Sequence, residues 1–191
     1  ARSTQHTAVY IGSTDTTLYI GIAAFDANPK GIIVADSRRA ASLDNRDSIS
    51  FIIDAFRDQQ NGFVFGTNPA GIEYDAQVSK EASGAMSRGA GFNLNWDTNW
   101  RVATKVGDFG WSAEFEIPFK SLRFGNSDIQ SWGFNFKRTI RRNNEVAYWA
   151  PISRQYNLSR LADAGSVGNI SAPLQRNLKL TPYGLGKERN G

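Results

Sequence analysis

The sequence contains no cysteine and only one histidine, His6. Without cysteine there is no disulfide, no catalytic thiolate and no zinc site built on Cys ligands. A lone histidine in a polar terminal stretch gives a Ser-His-Asp triad or a His-based metal site little to be built from. These absences argue against hydrolase chemistry of that kind. They do not identify the compartment, since many periplasmic proteins also lack cysteine.

Long apolar runs and nucleotide-binding motifs are missing as well. No stretch approaches the ~20 apolar residues of a membrane-spanning helix, and residues 1–12 lack the apolar segment of a signal peptide. Neither G-x-x-x-x-G-K-[ST] nor G-x-G-x-x-G opens a helical pattern, so nucleotide binding has no support. Two alternatives stay open: a signal peptide that is removed during export, and flanking domains of a longer chain.

The net charge of +4 is unevenly distributed along the 191 residues. Residues 1–119 hold 10 basic and 14 acidic side chains, a balance of −4, whereas residues 120–191 hold 12 basic and 4 acidic ones, a balance of +8. Such an asymmetry is typical of chains with an anionic partner, either nucleic acid or a membrane surface. The basic residues are scattered, however, with KRTIRR as the one dense cluster, and no nucleic-acid-binding motif accompanies them. Nucleic acid is therefore not the partner we predict.

The pattern that is present has a period of two residues. Apolar side chains alternate in TLYIGIAAF, SISFIIDAF, IEYDAQV, WSAEFEIPF and WGFNFKRTI, as they do in half-buried strands. The first of these follows a turn at residues 13–16 and completes a hairpin. Only residues 153–165 predict a short helix, which ends at Gly165. We therefore predict an all-β fold, an antiparallel β-sandwich of about ten strands with at most one short helix.

The tryptophans divide into a buried and an exposed set. Trp96 and Trp100, in the segment NWDTNW, are in phase with the apolar positions of their predicted strands, as is Trp111. We expect these three in the core rather than on a ligand platform. Trp149 is out of phase with its apolar neighbours and is our candidate for an exposed aromatic ring. A ring of that kind stacks on the apolar face of a pyranose, although cross-strand packing explains it equally well.

Few polar groups remain as candidates for chemistry. Glu114 and Glu116 share the polar face of one strand, roughly 7 Å apart by the strand rise, and this spacing does not forbid a glycosidase pair. Ordinary alternation on an exposed strand explains them more simply. Asp44 and Asp47, in a loop before a strand, are candidate calcium ligands because calcium prefers hard oxygen ligands. No EF-hand loop is present, and solvated loop acids are the simpler interpretation.

Five segments carry a family resemblance: TAVYIGSTDTTLYIGIAAFDANP, RDSISFIIDAFRDQQNGFVFGTNPAGIEYDAQV, NWDTNW, GWSAEFEIPFKSLRF and WGFNFKRTIRRNNEVAYWAP. Together they resemble a carbohydrate-binding family 9-like (CBM9-like) domain, the one that begins DUF5916-type bacterial outer-membrane proteins. The resemblance covers residues 7–183, and its most specific parts are NPAGIEYDA and GWSAEFEIPFKSLRF. The resemblance implies a β-sandwich of the CBM9 and DOMON-like, jelly-roll type that is exported to the periplasm. It also implies a domain over residues 1–183, with residues 184–191 as a tail or linker towards a following outer-membrane β-barrel.

These observations leave three functional hypotheses. The leading one is a non-catalytic domain that binds an oligosaccharide or polysaccharide, with Trp149 stacking on the sugar and polar contacts from Asn68, Arg138 and Arg142. The alternative is a structural or interaction domain that docks on its own β-barrel or on an envelope partner through the basic C-terminal part. A remote alternative is a glycoside hydrolase that uses Glu114 and Glu116. No cofactor is predicted apart from calcium.

Overall fold

The computed structural model describes residues 3–34, 43, 45–80 and 91–174. Within these ranges, eleven strands form two antiparallel sheets that enclose a common core. The predicted all-β sandwich is thereby confirmed. The strands are β1 (Thr7–Ser13), β2 (Thr17–Phe25), β3 (Ser48–Asp54), β4 (Gly62–Thr67), β5 (Tyr74–Val78), β6 (Phe92–Asn93), β7 (Arg101–Gly107), β8 (Gly110–Pro118), β9 (Ile129–Ile140), β10 (Glu145–Tyr148) and β11 (Gly165–Ser171).

The smaller sheet has four strands in the order β1-β2-β8-β7. Its first two strands form the predicted hairpin, in which Ser13 lies opposite Leu18 across the turn. Alternate side chains of a strand point to the same side, and the apolar set of β2 lies in the core as predicted: Leu18, Ile20, Ile22 and Ala24. The other set makes the outer face of this sheet, where Tyr10 and Glu114 are exposed.

The larger sheet has seven strands, with the path β10-β9-β3-β4-β5-β6 and β11 also paired to β9. Strand β9 pairs with β3 along one edge, over residues 133–139. On its other edge it pairs with β11 over residues 129–134 and with β10 over residues 137–140. The chain between β10 and β11 therefore leaves the sheet edge at Trp149 and returns to it at Gly165.

Aromatic rings fill the space between the two sheets. Trp100 and Trp111 are 3% and 1% exposed, and Trp100 stacks on Phe115 with ring centroids 5.7 Å apart. Trp96 is half-buried and packs against Phe63 at 5.1 Å. The prediction that these three tryptophans belong to the core is confirmed. The strand predicted to carry Trp96 is wrong in extent, because pairing ends at Asn93 and the chain then crosses to the smaller sheet.

A second apolar cluster covers part of the outer face of the larger sheet. Leu158 and Leu161, from the connection between β10 and β11, pack there against Ile52, Val64 and Ala76. The short helix predicted over residues 153–165 is only a 3₁₀ turn, Leu161–Asp163. Polar turns replace the helix, since the side chain of Asn157 accepts a hydrogen bond from the Ser159 amide at 2.8 Å. In the described ranges, no helix is long and apolar enough to cross a membrane.

Candidate functional site

Trp149 stands at the edge of the larger sheet, directly after β10. Its backbone N–H donates to the Phe136 carbonyl at 2.9 Å, which continues the pairing of β10 with β9 by one residue. The two rings meet edge to face, with centroids 6.1 Å apart. Tyr148 points to the opposite side and packs against the outer-face cluster. The predicted exposure of Trp149 is confirmed, since 55% of the residue is accessible.

Gly165 provides the support beneath the Trp149 ring. A Cβ atom built on Gly165 would overlap the six-membered ring of Trp149 and would lie 3.1 Å from its Cε3 atom. Only a residue without a side chain lets the indole lie so close to the backbone of β11. The ring is therefore held between Phe136 and Gly165 while part of its surface faces solvent. A fixed aromatic surface of this kind loses little conformational entropy when a ligand stacks on it.

Asn68 is not near Trp149. It follows β4, and β3 and β9 lie between that strand and β10. It is 0% exposed, and its Oδ1 accepts hydrogen bonds from the Ala70 and Ile72 amides at 3.0 and 3.4 Å. The Gly71 amide also donates to the Asn68 carbonyl, which closes a turn over residues 68–71. Asn68 thus shapes a turn, and its role as a ligand contact stays a prediction.

Arg138 links the two sheets. Arg138 is 5% exposed, and its side chain extends from β9 to the first strands of the smaller sheet. Nη1 donates to the His6 carbonyl at 2.8 Å and to Thr7 Oγ1 at 3.0 Å, and Nη2 donates to the Phe25 carbonyl at 2.8 Å. These bonds occupy the guanidinium on the inner side of the sheet, so a ligand contact for Arg138 also stays a prediction.

Arg142 binds Asp26 with two parallel hydrogen bonds. Its Nη1 and Nη2 donate to Oδ2 and Oδ1 at 2.7 and 2.6 Å, the fork geometry that arginine favours with carboxylates. Burial alone would raise the pKa of Asp26, but hydrogen bonds from Arg142 and the Asn28 amide, with the charges of Arg142 and Arg138, lower it. The same pairing raises the pKa of Arg142. A ligand contact by Arg142, which stays a prediction, requires competition with Asp26.

Of the two calcium candidates, Asp44 lies outside the described residues. Asp47 is 3% exposed, and its carboxylate accepts hydrogen bonds from the Ile33 amide at 2.7 Å and the Arg141 amide at 3.3 Å. Where the structure describes the chain, no group of three or more His, Cys, Asp or Glu side chains is suited to a metal ion. Calcium binding by these two residues stays a prediction.

A second feature, which we call the polar depression, lies beside the start of β7. It has a volume of about 460 Å³ and is lined by Glu73, Asp97, Thr98, Asn99, Trp100 and Arg101. Its backbone is fixed from both sides, since the Thr98 amide donates to Asp75 at 3.1 Å and Ser121 donates to the Asn99 carbonyl at 2.7 Å. The sequence pattern does not predict a site here, because the tryptophans of NWDTNW are in phase with core positions. The alternation of Asp97 and Asn99 with these tryptophans is the one signal in the segment that indicates a polar surface.

Glu114 and Glu116 lie on the open outer face of the smaller sheet. In the strand register, Glu116 stands between Tyr19 and Arg101, and Glu114 stands between Gly21 and Ala103. Glycine and alanine leave the sheet surface flat around Glu114. A glycosidase instead holds the sugar between two carboxyl groups, and a flat face provides no enclosure for that.

The arrangement of the two sheets is a CBM9-like β-sandwich. A candidate carbohydrate-binding protein from Bacteroides uniformis has a similar structure, with a TM-score of 0.66, 12% identity and coverage of 86% of this chain and 78% of that one. Two structures of a carbohydrate-binding module of family 9 from Caldicellulosiruptor kristjanssonii are also similar. The complex with cellotriose has a TM-score of 0.52, with 14% identity and coverage of 96% and 83%. The complex with glucose has a TM-score of 0.56, with 15% identity and coverage of 95% and 83%.

At these identities the similarity establishes the fold. No family model matches the sequence, and no curated protein matches it. The resemblance to the CBM9-like fold is thereby confirmed at the level of structure, whereas the DUF5916 assignment stays a prediction.

Proposed function

We propose that this protein is a non-catalytic carbohydrate-binding domain and that Trp149 is the ring on which the sugar stacks. The observation that carries the proposal is the exposed, rigidly held indole of Trp149 on a sandwich whose fold is shared with modules that bind cellotriose and glucose. The apolar face of a pyranose packs on such a ring, and its hydroxyls remain available to polar groups at the rim.

The open positions of Glu114 and Glu116 support a binding role over a catalytic one. Both carboxylates lie on the outer face of the smaller sheet, whereas Trp149 lies at the edge of the larger sheet. A sugar stacked on Trp149 is therefore not presented to this pair. Binding without bond cleavage is the function that the geometry supports best.

We also propose that the domain works in the bacterial envelope, as part of a protein that continues into an outer-membrane β-barrel. This part of the proposal rests on the resemblance of NPAGIEYDA and GWSAEFEIPFKSLRF to DUF5916-type proteins. Fractionation of the native cells tests it, and recovery of the protein with cytoplasmic markers would contradict it.

The first expected result concerns the ring itself. We expect Trp149→Ala to weaken the binding of the tightest oligosaccharide in a panel that includes cellotriose by about 30-fold. This factor corresponds to the ~2 kcal/mol that truncation of an aromatic anchor costs. Isothermal titration calorimetry measures the change. Because Trp149 is 55% exposed, the melting temperature should change little.

Phe56 provides a matched control for this measurement, since it is an aromatic residue with 51% exposure. Phe56→Ala should leave the affinity unchanged. Equal losses for the two variants would show that the effect is not specific to Trp149. If no sugar of the panel gave any heat of binding, the result would contradict the proposed function itself.

A second variant tests the support rather than the ring. We expect Gly165→Ala to reduce the affinity by about 10-fold, because the added methyl group overlaps the indole and turns it away from the β11 backbone. The ring is still present in this variant, so a loss of affinity reports its position. Near-ultraviolet circular dichroism should show the altered environment of the indole. Wild-type affinity together with a wild-type spectrum would contradict the role of Gly165.

A further inference from the structure

The polar depression combines hydrogen-bond acceptors and donors within one surface. Glu73 and Asp97 bring carboxylate oxygens, Asn99 brings an amide, Thr98 a hydroxyl and Arg101 a guanidinium. Three of these residues, Asp97, Asn99 and Arg101, are exposed and lie within three positions of Trp100 in the sequence. The depression is formed by two connections of the fold, one between β4 and β5 and one between β6 and β7, and not by a single loop.

Trp100 adds an unusual feature to this surface. The residue is 3% exposed, yet its Nε1 atom has no hydrogen-bond acceptor in the part of the chain that the structure describes. Buried polar groups are nearly always hydrogen-bonded, so a donor without a partner needs an explanation. By contrast, the equally buried Trp132 donates to Gln130 Oε1 at 3.3 Å. The depression is thus lined by a residue whose donor lacks an acceptor.

The chemistry of the lining selects the class of ligand. An anion would meet the carboxylates of Glu73 and Asp97, and a cation would meet the Arg101 guanidinium and could not accept a hydrogen bond from the Trp100 indole. A hydroxyl group both donates and accepts. A compound with several adjacent hydroxyls can therefore donate to the carboxylates while it accepts from the indole, the amide and the guanidinium. Because Asp97 and Asn99 are exposed, their side chains can rotate to admit such a ligand to the indole and still hydrogen-bond to it.

We propose that the polar depression is a second sugar subsite, separate from Trp149, in which a hydroxyl of a pyranose accepts a hydrogen bond from Trp100 Nε1–H. This inference rests on the proposed function, because it assigns a further site to the same class of ligand. The two sites lie on different parts of the sandwich. Trp149 stands at the β10 edge of the larger sheet, and the depression adjoins β7, the edge strand of the smaller sheet. A glycan that occupies only one of them leaves the other open.

The indole N–H signals of the five tryptophans give a direct test by ¹⁵N NMR. The Trp100, Trp132 and Trp149 signals are assigned from their loss in Trp100→Phe, Trp132→Phe and Trp149→Ala. Glucose, galactose, mannose, xylose and cellotriose are then titrated separately into the wild-type protein. We expect at least one sugar to shift the Trp100 signal while the Trp132 signal, whose donor already has a partner, stays in place. The same shift should persist in Trp149→Ala.

A further variant, Asp97→Asn, keeps the shape of the side chain but removes a carboxylate. We expect it to raise the apparent dissociation constant that the Trp100 signal reports by about 10-fold, since neutral hydrogen bonds are weaker than charge-assisted ones. A shift of the Trp149 signal without a shift of the Trp100 signal would overturn the second subsite and leave the proposed function intact. The absence of any shift with every sugar would instead contradict the proposed function.

Discussion

Asp26→Ala should destabilise the domain by about 3 kcal/mol, because it removes the counterion of two arginines at once. The Asp26 side chain is 1% exposed and lies 2.6 Å from Arg142 and 3.9 Å from Arg138. Without the carboxylate, the guanidinium of Arg138 stays buried between the sheets and keeps hydrogen bonds to neutral acceptors. Asp47 and Glu145 then act on it only through their charge. Urea denaturation followed by tryptophan fluorescence measures the loss of unfolding free energy.

The same residue should make stability depend on pH. The pKa of Asp26 in the folded protein lies below its ordinary value of 3.8, so its stabilising contribution is complete above that pH. The contribution is lost as the pH falls further, through the pKa of the folded state. We therefore expect the stability difference between wild type and Asp26→Ala to shrink on acidification below about pH 4. The lowered pKa values of Asp58 and Glu145 give both proteins a common acid sensitivity.

Asp15, an exposed carboxylate in the turn between β1 and β2, provides the control. Asp15→Ala should change the unfolding free energy by less than about 0.5 kcal/mol, as is usual for surface positions. If Asp26→Ala were as mild as the control, the buried arginines would have to be neutralised by groups other than Asp26. The ion pair of Asp26 and Arg142 also bears on the docking alternative. Reversal of the charge at Arg142 would break this ion pair as well as change a surface charge.

The sheet pattern could be predicted because alternation is a local property. One face of β2 and one face of β8 are apolar at every second position, and those residues form the core. The exposure of Trp149 followed from the same rule, since it falls out of phase with its neighbours. The extent of the strand after Phe92 was not predictable in this way. Apolar residues continue at the same spacing there, but they line a crossing between sheets.

Long-range partners could not be predicted from one sequence. Arg142 and Asp26 are 116 positions apart, and no local pattern distinguishes a cation that pairs internally from one that meets a ligand. Asn68 is an intermediate case. Its place before Pro69 and Gly71 is typical of a turn, and asparagine side chains in turns commonly accept hydrogen bonds from the following amides. The bounds of the domain, 1–183, stay a prediction because residues 175–191 lie outside the described ranges.

Gly110→Ala should be the most disruptive single-atom addition that we identify, with a loss of at least about 3 kcal/mol of unfolding free energy. Gly110 begins β8 with φ of +129°, a backbone conformation that favours glycine. A Cβ atom there would overlap the Ala24 carbonyl oxygen and lie 2.9 Å from the Asp26 nitrogen. Backbone atoms cannot swing aside as a flexible side chain can. Differential scanning calorimetry should show a fall in melting temperature of about 6 to 12 °C.

Gly12 is the matched control, because it also belongs to the smaller sheet and a Cβ atom there would meet nothing within 4 Å. Gly12→Ala should leave the melting temperature within about 2 °C of the wild type, a change of well under 1 kcal/mol. The contrast separates close backbone approach from the general cost of replacing glycine in a strand. Because Asp26 follows the crowded carbonyl of β2, Gly110→Ala should also weaken the Asp26 pairing with Arg142. Similar melting temperatures for the two variants would show that the end of β2 moves without loss, and would contradict the expected cost of a Cβ atom at Gly110.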